Sequence, residues 1–548
     1  MADLILVQPP IEDFYLTLKR TIPYGLACIA GSLRQKGFSV DLFDALAVNR
    51  SKIIPLPEAL TPLSAYYGRE DCSSFALFHH FKHYGYSYEH ISRVIKEKKP
   101  CIACISSLFT PYFDQALKTA ETIKHCYPEC IIVMGGHHPT NLPETVMVSK
   151  HVDFVIRGEG ETAMPMLARA ILNRRTDPET LKKIPGIVFR KKDNTLYISE
   201  PAWLERREEF SLPAMDLVKS GFYRRKKTHS TSIVTSRGCP MHCSYCSVGA
   251  SAAWSPRFRQ RNAEDVVSEL AGQFQARDIG FVDFEDENLT LDKKWFLDFL
   301  NRAEPLFKKN RPELRAMNGL FPPSLDPEVV RAMKASGFKT INLSLGSNSR
   351  DQLKRFNRPD VRKAFKKALL LAKHHHMQSV SYIIAGAPGQ DSLDSLSDLI
   401  FLAEMPTLAG MSIFYPAPGS LDYQVCREKN LLPDSFLMMR STALPISHTT
   451  TRRESITLLR LSRIVNFMKF LVDTKIPIPG PEPWTKHCTL DAGDRIKTGK
   501  TLLSWFLFDG NIRGITRDNQ VFIHLQDKDL TRIFIEKIKQ TRIKGTIV

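Results

Sequence analysis

The sequence has 548 residues, more than one ordinary domain holds, and this length predicts two to four domains. Apolar residues make up 43% of the chain, which excludes a disordered, low-complexity protein and is enough to build buried cores. The formal net charge of +18 suits an anionic partner, such as a phosphorylated substrate, a nucleic acid or an acidic protein, although a basic host proteome would give the same excess.

The amino-terminal sequence and the lack of a long apolar run predict a cytoplasmic protein. The opening residues lack the basic segment and the long apolar stretch of a signal peptide. No run of about 18 apolar residues predicts a transmembrane helix. Eleven cysteines would stay reduced in that compartment, which disfavours a disulfide framework. They leave metal ligation, catalysis and small buried side chains as roles.

Residues 1–180 alternate short β-rich runs with helical stretches, a pattern that predicts an α/β domain with a doubly wound parallel sheet. Ligands of such sheets bind at the carboxyl ends of the strands. Residues 50–98 interrupt the pattern and predict a helical insertion over the sheet. Its histidines are assigned to packing or surface roles, with a metal role as the alternative. The predicted strands are 4–7, 39–44, 101–106, 131–134 and 153–156, and the predicted helices are 24–33 and 116–126.

A second strand–helix series follows a basic linker with a small hairpin at residues 181–228. The series occupies residues 229–430 and predicts a partial (βα) barrel. Residues 431–548 open with a predicted helix at 453–474 and are assigned to a small C-terminal accessory region. The barrel strands are predicted at 232–235, 280–284, 340–345, 380–384 and 411–414, with helices at 263–276 and 327–336.

Three cysteines, Cys239, Cys243 and Cys246, follow the first barrel strand at C-x3-C-x2-C spacing. A tight loop with this spacing can turn three thiolates toward one point, and thiolates suit an iron–sulfur cluster. Three ligands leave one iron of a four-iron cluster open to a substrate. A structural zinc site would need a fourth ligand, and His242 lies awkwardly between the cysteines. The spacing therefore predicts a [4Fe–4S] cluster, with three unligated loop cysteines as the alternative.

Segment 235–246 resembles the signature of the radical SAM (S-adenosylmethionine) enzymes, including an aromatic residue before the third cysteine. The resemblance implies that the open iron chelates SAM and that an electron cleaves it to a 5′-deoxyadenosyl radical. Three later loops, at 283–288, 345–349 and 385–390, resemble the family's turns. Asn348 and Gln390 stand where many relatives carry glutamate, which removes a charge at each place. The implied SAM contacts are Tyr245, Glu285, Asn348, Gly386, Pro388 and Gly389.

The first domain resembles the cobalamin-binding domain that precedes the barrel in one large class of these enzymes. The matching pieces are 8–10, 23–26, 135–140 and 152–161. The Asp-x-His-x-x-Gly motif, which supplies a histidine to cobalt in other cobalamin-binding domains, is absent, so we expect any bound cobalamin to lack that ligand. The implied cobalamin contacts are Ser106, Gly135, Gly136 and His138.

Several residues of these segments keep two interpretations. A plain loop position is the alternative for His138, and Glu159 and Glu161 contact a ligand or support the start of the next helix. Six of the other cysteines are divided into three groups. Core positions are predicted for Cys101 and Cys104, no second cluster for Cys126 and Cys130, and candidate thiol catalysts at Cys426 and Cys488.

Together these features predict a cobalamin-dependent radical SAM enzyme, with methyl transfer, ring closure and rearrangement as the reactions that relatives perform. We expect a small-molecule or anionic substrate and an external electron donor such as flavodoxin or ferredoxin. The sequence identifies no catalytic residue beyond the cofactor sites. Two alternatives remain: a radical SAM enzyme that modifies tRNA, although the tail shows no small β-barrel RNA module, and a non-catalytic corrinoid-binding or cluster-binding protein.

Overall fold

The computed structural model describes residues 3–15, 22–206, 209–248, 258–444, 449–485 and 490–546. The chain divides into two compact units, each built from three segments. The segments of the first unit are Met1–Ile54, Phe81–Pro240 and Ala252–Asp283, and those of the second are Pro55–His80, Met241–Ser251 and Phe284–Val548. None of the described helices combines the length and the apolarity that crossing a bilayer requires.

The helices and strands follow one another in two series. The elements up to residue 198 are β1 (Leu4–Gln8), β2 (Ile11–Asp13), α1 (Tyr24–Gln35), β3 (Val40–Asp44), β4 (Ser51–Ile53), α2 (Ser64–Tyr67), β5 (Lys82–Tyr84), α3 (Tyr88–Lys98), β6 (Ile102–Ser106), α4 (Phe113–Cys126), β7 (Ile131–Gly135), α5 (His137–Asn141), α6 (Pro143–Met147), β8 (Phe154–Ile156), α7 (Gly160–Leu172), α8 (Pro178–Leu181), β9 (Ile187–Arg190) and β10 (Leu196–Ile198). The later elements are β11 (Arg224–Arg225), β12 (Thr228–Ile233), β13 (Ser236–Arg237), β14 (Arg259–Gln260), α9 (Ala263–Ala276), β15 (Ile279–Phe284), α10 (Lys293–Asn310), β16 (Glu313–Arg315), α11 (Pro327–Ser336), β17 (Thr340–Gly346), α12 (Arg350–Arg355), α13 (Arg362–His374), β18 (Gln378–Ala385), α14 (Ser392–Glu404), β19 (Leu408–Ile413), α15 (Leu421–Glu428), α16 (Arg452–Asp473), α17 (Arg495–Asp509), β20 (Arg513–Ile515), β21 (Val521–Ile523) and α18 (Lys528–Lys539).

The first unit is organised around a seven-stranded sheet in the order β10-β9-β8-β7-β6-β1-β3. Five of these strands, β3, β1, β6, β7 and β8, are parallel. The hairpin β9–β10 adds two antiparallel strands beside β8. The central strands are almost wholly buried, because a parallel sheet has both of its faces covered. The predicted doubly wound sheet is confirmed, and the hairpin of the expected linker is part of it.

The order of the parallel strands identifies the edge where a ligand fits. Counted along the chain, the strands lie in the order 2-1-3-4-5, which is the flavodoxin-like arrangement. The chain changes direction across the sheet between β1 and β6. A crevice opens at such a switch point, outside the carboxyl ends of the two strands. These ends are Gln8 and Ser106, and Gly135 lies beside Ser106 in the next strand.

The second strand–helix series is divided between the two units. The first unit contains β12 and β15 with α9 between them, and the second contains the parallel strands β17, β18 and β19. The sequence did not predict β16, which has only three residues and a single buried side chain, Leu314. Bridges from Leu314 to Phe338 and from Leu320 to Leu343 place this stretch of chain alongside β17. So short a strand carries no periodic signal of its own.

The insertion at residues 50–98 differs from the helical segment that the sequence predicts. Strands β4 and β5 belong to the first unit, where they form a small antiparallel sheet with β2. Residues 55–80 belong to the second unit and pack on its C-terminal part. There Asp71 accepts a hydrogen bond from the backbone of Ile515 and lies 2.9 Å from Nε2 of His524. Partners so distant in sequence leave no local pattern.

Cys101 differs from its predicted core position. It is exposed and precedes β6, which begins at Ile102, whereas Cys104 within the strand is buried as expected. A residue just outside a strand does not share the strand's burial, even when its neighbours are apolar. The ten cysteines in the described part of the chain form no disulfide.

We predict that Gly136→Ala lowers the free energy of unfolding by about 1–3 kcal/mol. Gly136 has φ +121°, and a Cβ there would lie 2.6 Å from the carbonyl oxygen of Ser107. Thermal unfolding measures the effect. Gly25→Ala is the matched control, because nothing lies within 4 Å of a Cβ at that exposed helical position. Equal melting temperatures for the two variants would contradict the requirement for glycine at residue 136.

Candidate active site and cofactor-binding residues

Along the chain, the division between the two units falls within the C-x3-C-x2-C motif, between Pro240 and Met241. Cys239 belongs to the first unit, two residues after β13, and follows Gly238, whose φ of +79° gives the chain a left-handed turn. Cys243 and Cys246 belong to the second unit, where the backbone N–H of Cys246 donates to the carbonyl of Cys243 at 3.1 Å. Cys243 is buried. Their role as cluster ligands stays a prediction.

Two loops of the second unit hold the stretch between Cys243 and Cys246. The backbone N–H of Ser244 donates to the carbonyl of Phe356, 3.0 Å away, in the loop that follows α12. On the other side, the backbone N–H of Asp422 donates to the Ser244 carbonyl, and the Ser244 hydroxyl donates to the Asp422 carboxylate, each at 2.9 Å. The position of Ser244 is therefore fixed by both backbone and side-chain contacts.

Arg358 is a site residue that sequence reasoning missed. One guanidinium nitrogen lies 3.1 Å from the hydroxyl of Tyr245 and 3.8 Å from the sulfur of Cys243. Another nitrogen donates to the carbonyl of Ser344 near the end of β17 and to its hydroxyl, the latter at 3.0 Å. The buried Nε has no hydrogen-bond partner in the described part of the chain. Its only sequence signal was a basic residue shortly after the predicted strand 340–345.

The charge of Arg358 is maintained in this environment. Burial opposes it, but the nearby Tyr245 and Cys243 raise the pKa of Arg358 above its usual value. A permanently charged guanidinium with an unused N–H is suited to bind a carboxylate, which it recognises by charge and by geometry. Arg358 thus contacts the motif cysteine Cys243, the predicted SAM contact Tyr245 and Ser344 near the end of β17.

The turn that contains Gly386, Pro388 and Gly389 directly follows β18. Both glycines have positive φ, +72° and +76°, so the turn depends on residues without a Cβ. The buried side chain of Gln390 accepts a hydrogen bond from the backbone N–H of Ala387 at 3.3 Å. Ala387 in turn packs in one apolar cluster with Tyr245. The structure therefore brings this turn and the residue before Cys246 together.

Asn348 and Gln390, the two departures from the family pattern, meet at one buried carboxylate. Asp398 accepts a hydrogen bond from the backbone N–H of Asn348 at 2.6 Å and lies 3.5 Å from Nε2 of Gln390. Burial raises the pKa of Asp398 to about 7. A glutamate at residue 390 would place a second carboxylate beside Asp398, which like-charge repulsion disfavours. The amide is therefore matched to its surroundings and is not a sign of a lost site.

Glu285, the remaining predicted SAM contact, lies just beyond β15. It is exposed, and the side-chain amide of Asn318 is 3.5 Å from one of its carboxylate oxygens. The same amide is 3.4 Å from the carbonyl of Asp286. Asn318 thus orders the polar loop that follows this strand, and the proposed contact of Glu285 with SAM stays a prediction.

The predicted cobalamin residues lie where the switch point places a ligand. Ser106 ends β6 and pairs with Gly135 in the register of the sheet. The backbone N–H of Ser107 donates to the Gly135 carbonyl at 2.8 Å, and Gly136 packs against the Ser107 backbone. The Ser107 hydroxyl is buried without a hydrogen-bond partner in the described part of the chain. An unsatisfied hydroxyl at this edge fits a ligand that completes its hydrogen bonding.

His138 is buried in the short helix α5, which follows β7, and both of its ring nitrogens are occupied. Thr110 Oγ1 lies 3.3 Å from Nδ1, Thr145 Oγ1 lies 3.1 Å from Nε2, and the ring stacks on Phe113 at 4.0 Å. Burial lowers the pKa of His138 to about 4, so the imidazole is neutral at physiological pH. This arrangement favours the structural interpretation of His138, and its contact with cobalamin stays a prediction.

Glu159 and Glu161 have a role that the sequence did not predict. Within the first unit, Glu159 lies 2.7 Å from Arg259, and Glu161 lies 2.6 Å from Arg237. Glu159 also lies 3.4 Å from Arg237. Because these side chains are largely buried, each charge depends on its partner. Arg237 is two residues before Cys239. The ion pairs therefore connect the residues that follow β8 to the segment that precedes the cysteine motif.

Cys426 lacks the environment of a thiol catalyst. It is buried in an apolar cluster with Phe356, Ala387 and Phe414, and burial raises the pKa of its thiol to about 11. A thiol with so high a pKa carries little of the reactive thiolate at neutral pH. Cys488, the other candidate, lies outside the described residues.

Two family models match separate parts of the chain. The model described as the B12 binding domain matches residues 75–168, and the model of the radical SAM superfamily matches residues 233–399. The first range includes Gly135 and Gly136 at the carboxyl ends of the parallel strands, and the second includes the cysteine motif. These domains imply cobalamin, a [4Fe–4S] cluster and SAM as cofactors.

Curated relatives are similar over most of the chain. An uncharacterized methyltransferase of Pyrococcus horikoshii is 26% identical over 438 residues, which cover 78% of this chain and 84% of the relative. The cytidylyl-2-hydroxyethylphosphonate methyltransferase of Streptomyces wedmorensis is 24% identical over 458 residues, covering 76% and 79%. The anaerobic magnesium-protoporphyrin IX monomethyl ester cyclase of Cereibacter sphaeroides is 24% identical over 351 residues, covering 63% and 56%.

Solved structures share the fold. The radical S-adenosylmethionine methyltransferase TsrM from Kitasatospora setae superimposes with a TM-score of 0.60 and 16% identity, covering 84% of this chain and 89% of TsrM. The cobalamin-dependent S-adenosylmethionine radical enzyme OxsB gives a TM-score of 0.62 and 14% identity, covering 98% and 75%. At such identities the likeness establishes architecture, and function has to be argued from the site.

We predict that the stability of the first unit falls as the pH drops from about 6.5 toward 4. The pKa of His138 is lowered to about 4 in the folded chain from about 6.5 when unfolded, so the unfolded chain binds the extra proton in this window. The contribution is about 3 kcal/mol at most, fully present above pH 6.5 and lost near pH 4. Urea unfolding midpoints of wild type and His138→Gln against pH measure it.

The difference between the two proteins isolates His138 from the carboxylates that titrate in the same range. The variant should lose stability less steeply than wild type as the pH falls. His374→Gln is the control, because that histidine is exposed on α13. Parallel pH profiles for wild type and His138→Gln would rule out a buried neutral imidazole.

Proposed function

We propose that this chain, which belongs to the family of radical SAM enzymes with a cobalamin-binding domain, is a methyltransferase acting on a small-molecule substrate. The proposal of methyl transfer is supported by the similar proteins from Pyrococcus horikoshii and Streptomyces wedmorensis, both described as methyltransferases. A cyclase is also among the similar proteins, so ring closure is the second candidate reaction. The relatives named above are not described as acting on tRNA, and that alternative has no support from them.

The observation that carries the proposal is the position of Arg358. Its guanidinium lies beside Cys243 and Tyr245, and its free N–H suits a carboxylate. We assign Arg358 to the carboxylate of SAM. The turn 386–389 and the backbone around Asn348 complete the SAM site, with Asp398 bridging the two. Cys239, Cys243 and Cys246 hold the cluster, which with SAM supplies a 5′-deoxyadenosyl radical after one-electron reduction.

The cobalamin site is assigned to the carboxyl ends of β1, β6 and β7. Ser106, Gly135 and Gly136 allow the backbone to approach a bulky ligand there, and the Ser107 hydroxyl offers a hydrogen bond. Bound cobalamin supplies a carrier for the methyl group. The chain's part in the reaction is to bind and orient both cofactors, since the residues identified so far bind and position groups.

An external electron donor is part of the proposal. Cluster reduction requires one electron, and small acidic carriers such as flavodoxin or ferredoxin are the expected source. The net charge of +18 favours an encounter with an acidic protein, because long-range attraction raises the association rate. Reduction by such a carrier should therefore slow as ionic strength rises.

We predict that replacing Cys239, Cys243 or Cys246 by Ala abolishes the cluster while cobalamin is retained. Anaerobically reconstituted wild type should hold about four irons per chain and the visible absorption of an iron–sulfur cluster. Iron and cobalamin contents measure the result. Cys101→Ala is the matched control, because Cys101 is exposed and outside the motif. Four irons in all three variants would contradict the cluster assignment, and a wild type unable to retain cobalamin would contradict the methyltransferase proposal.

Replacing Arg358 by Met should weaken SAM binding by about 10-fold to 100-fold, the loss expected for a charge-assisted hydrogen bond. Equilibrium binding of SAM to the reconstituted protein measures the effect. Lys354→Met removes an exposed positive charge in α12 and serves as the control. Iron content is determined in parallel, because Arg358 also lies near Cys243. Unchanged SAM affinity with a full cluster would remove Arg358 from the SAM site.

A further inference from the structure

Three side chains with metal-ligating atoms meet on the first unit, away from the residues assigned to the cofactors. Glu121 and His125 lie one helical turn apart on α4, and His151 lies in the loop that leads into β8. One ligand atom from each residue lies within 4.8 Å of those of the other two. The two imidazole rings are 5.3 Å apart, measured between their centroids.

The donor atoms of this cluster are available. Within the described part of the chain, neither imidazole of His125 and His151 has a hydrogen-bond partner. Glu121 receives a hydrogen bond on Oε2 from Lys118 at 2.8 Å, which leaves its second oxygen for another partner. That hydrogen bond, together with the nearby histidines, lowers the pKa of Glu121 below its usual value. The carboxylate is therefore ionised at neutral pH.

The cluster lies at the amino ends of the parallel strands, whereas Gly135 and Gly136 lie at the carboxyl ends. Helix α4 follows the carboxyl end of β6 and returns to the amino end of β7, so its last turn lies at the amino edge. The loop that contains His151 reaches the same edge before β8. The carbonyl groups at the end of α4 add partial negative charge, which favours a cation near His125.

We propose that Glu121, His125 and His151 bind Zn²⁺ and thereby fasten the end of α4 to the loop before β8. Two imidazoles and a carboxylate are ligands that Zn²⁺ accepts, at about 2.0–2.2 Å from the metal. Ligand atoms around a tetrahedral ion lie about 3.4 Å apart, so the three side chains close inward by roughly 1 Å. His125 is exposed and the other two are half-buried, which leaves room for that movement. Water completes the coordination.

Zinc absorption spectroscopy on the full-length protein tests the proposal directly. The protein is loaded with its cluster and cobalamin, so that the cluster cysteines are occupied, and supplied with one equivalent of Zn²⁺. The extended fine structure should show nitrogen and oxygen neighbours with the scattering pattern of two imidazoles. A sulfur shell near 2.3 Å would place the zinc on cysteines and overturn the proposal.

Variants identify the ligands. His125→Gln and His151→Gln should each lose the bound zinc and the rise in melting temperature that it produces, while retaining iron and cobalamin. His374→Gln, another histidine in the last turn of a helix, should bind zinc as wild type does. Undiminished zinc in both ligand variants would overturn the proposal, and if a variant does not fold, the wild-type spectrum decides.

Discussion

The contact of the Arg358 guanidinium with Cys243, Tyr245 and Ser344 is the interaction on which the rest of the site depends. A buried cation is costly unless anions or dipoles surround it, and here the Tyr245 hydroxyl, the carbonyl and hydroxyl of Ser344 and the Cys243 sulfur do so. The same residues thereby acquire defined positions. Cys243 and Tyr245 are thereby held near the end of β17, where a parallel strand delivers its ligand-binding residues.

Buried carboxylates organise the surrounding turns in the same manner. Asp398 fixes the backbone at Asn348 and sets which side chain is tolerated at residue 390. In the first unit, the ion pairs of Glu159 and Glu161 hold Arg237, two residues before Cys239. The protein therefore positions its candidate cofactor residues through buried carboxylates, which accept hydrogen bonds from neutral groups at Asp398 and form ion pairs at Glu159 and Glu161.

Some features were readable from the sequence because their signals are local. Apolar runs predicted β1, β6 and β7 closely, and helices α9 and α11 begin and end at the predicted residues. The cysteine spacing is also local. Arg358, the ion pairs of Glu159 and the split insertion were missed, because each depends on residues far apart in the chain. For His138, the sequence predicted its position after β7 but not its contacts with Thr110 and Thr145.

Anaerobic reduction of the cluster-loaded, cobalamin-loaded protein in the presence of SAM tests the central claim most directly. Chromatography of the small molecules should show 5′-deoxyadenosine and methionine in equal amounts, formed slowly without substrate and absent when the reductant is omitted. A protein that holds a full cluster and binds SAM, yet yields neither product after reduction, would contradict the assignment of this chain as a radical SAM enzyme.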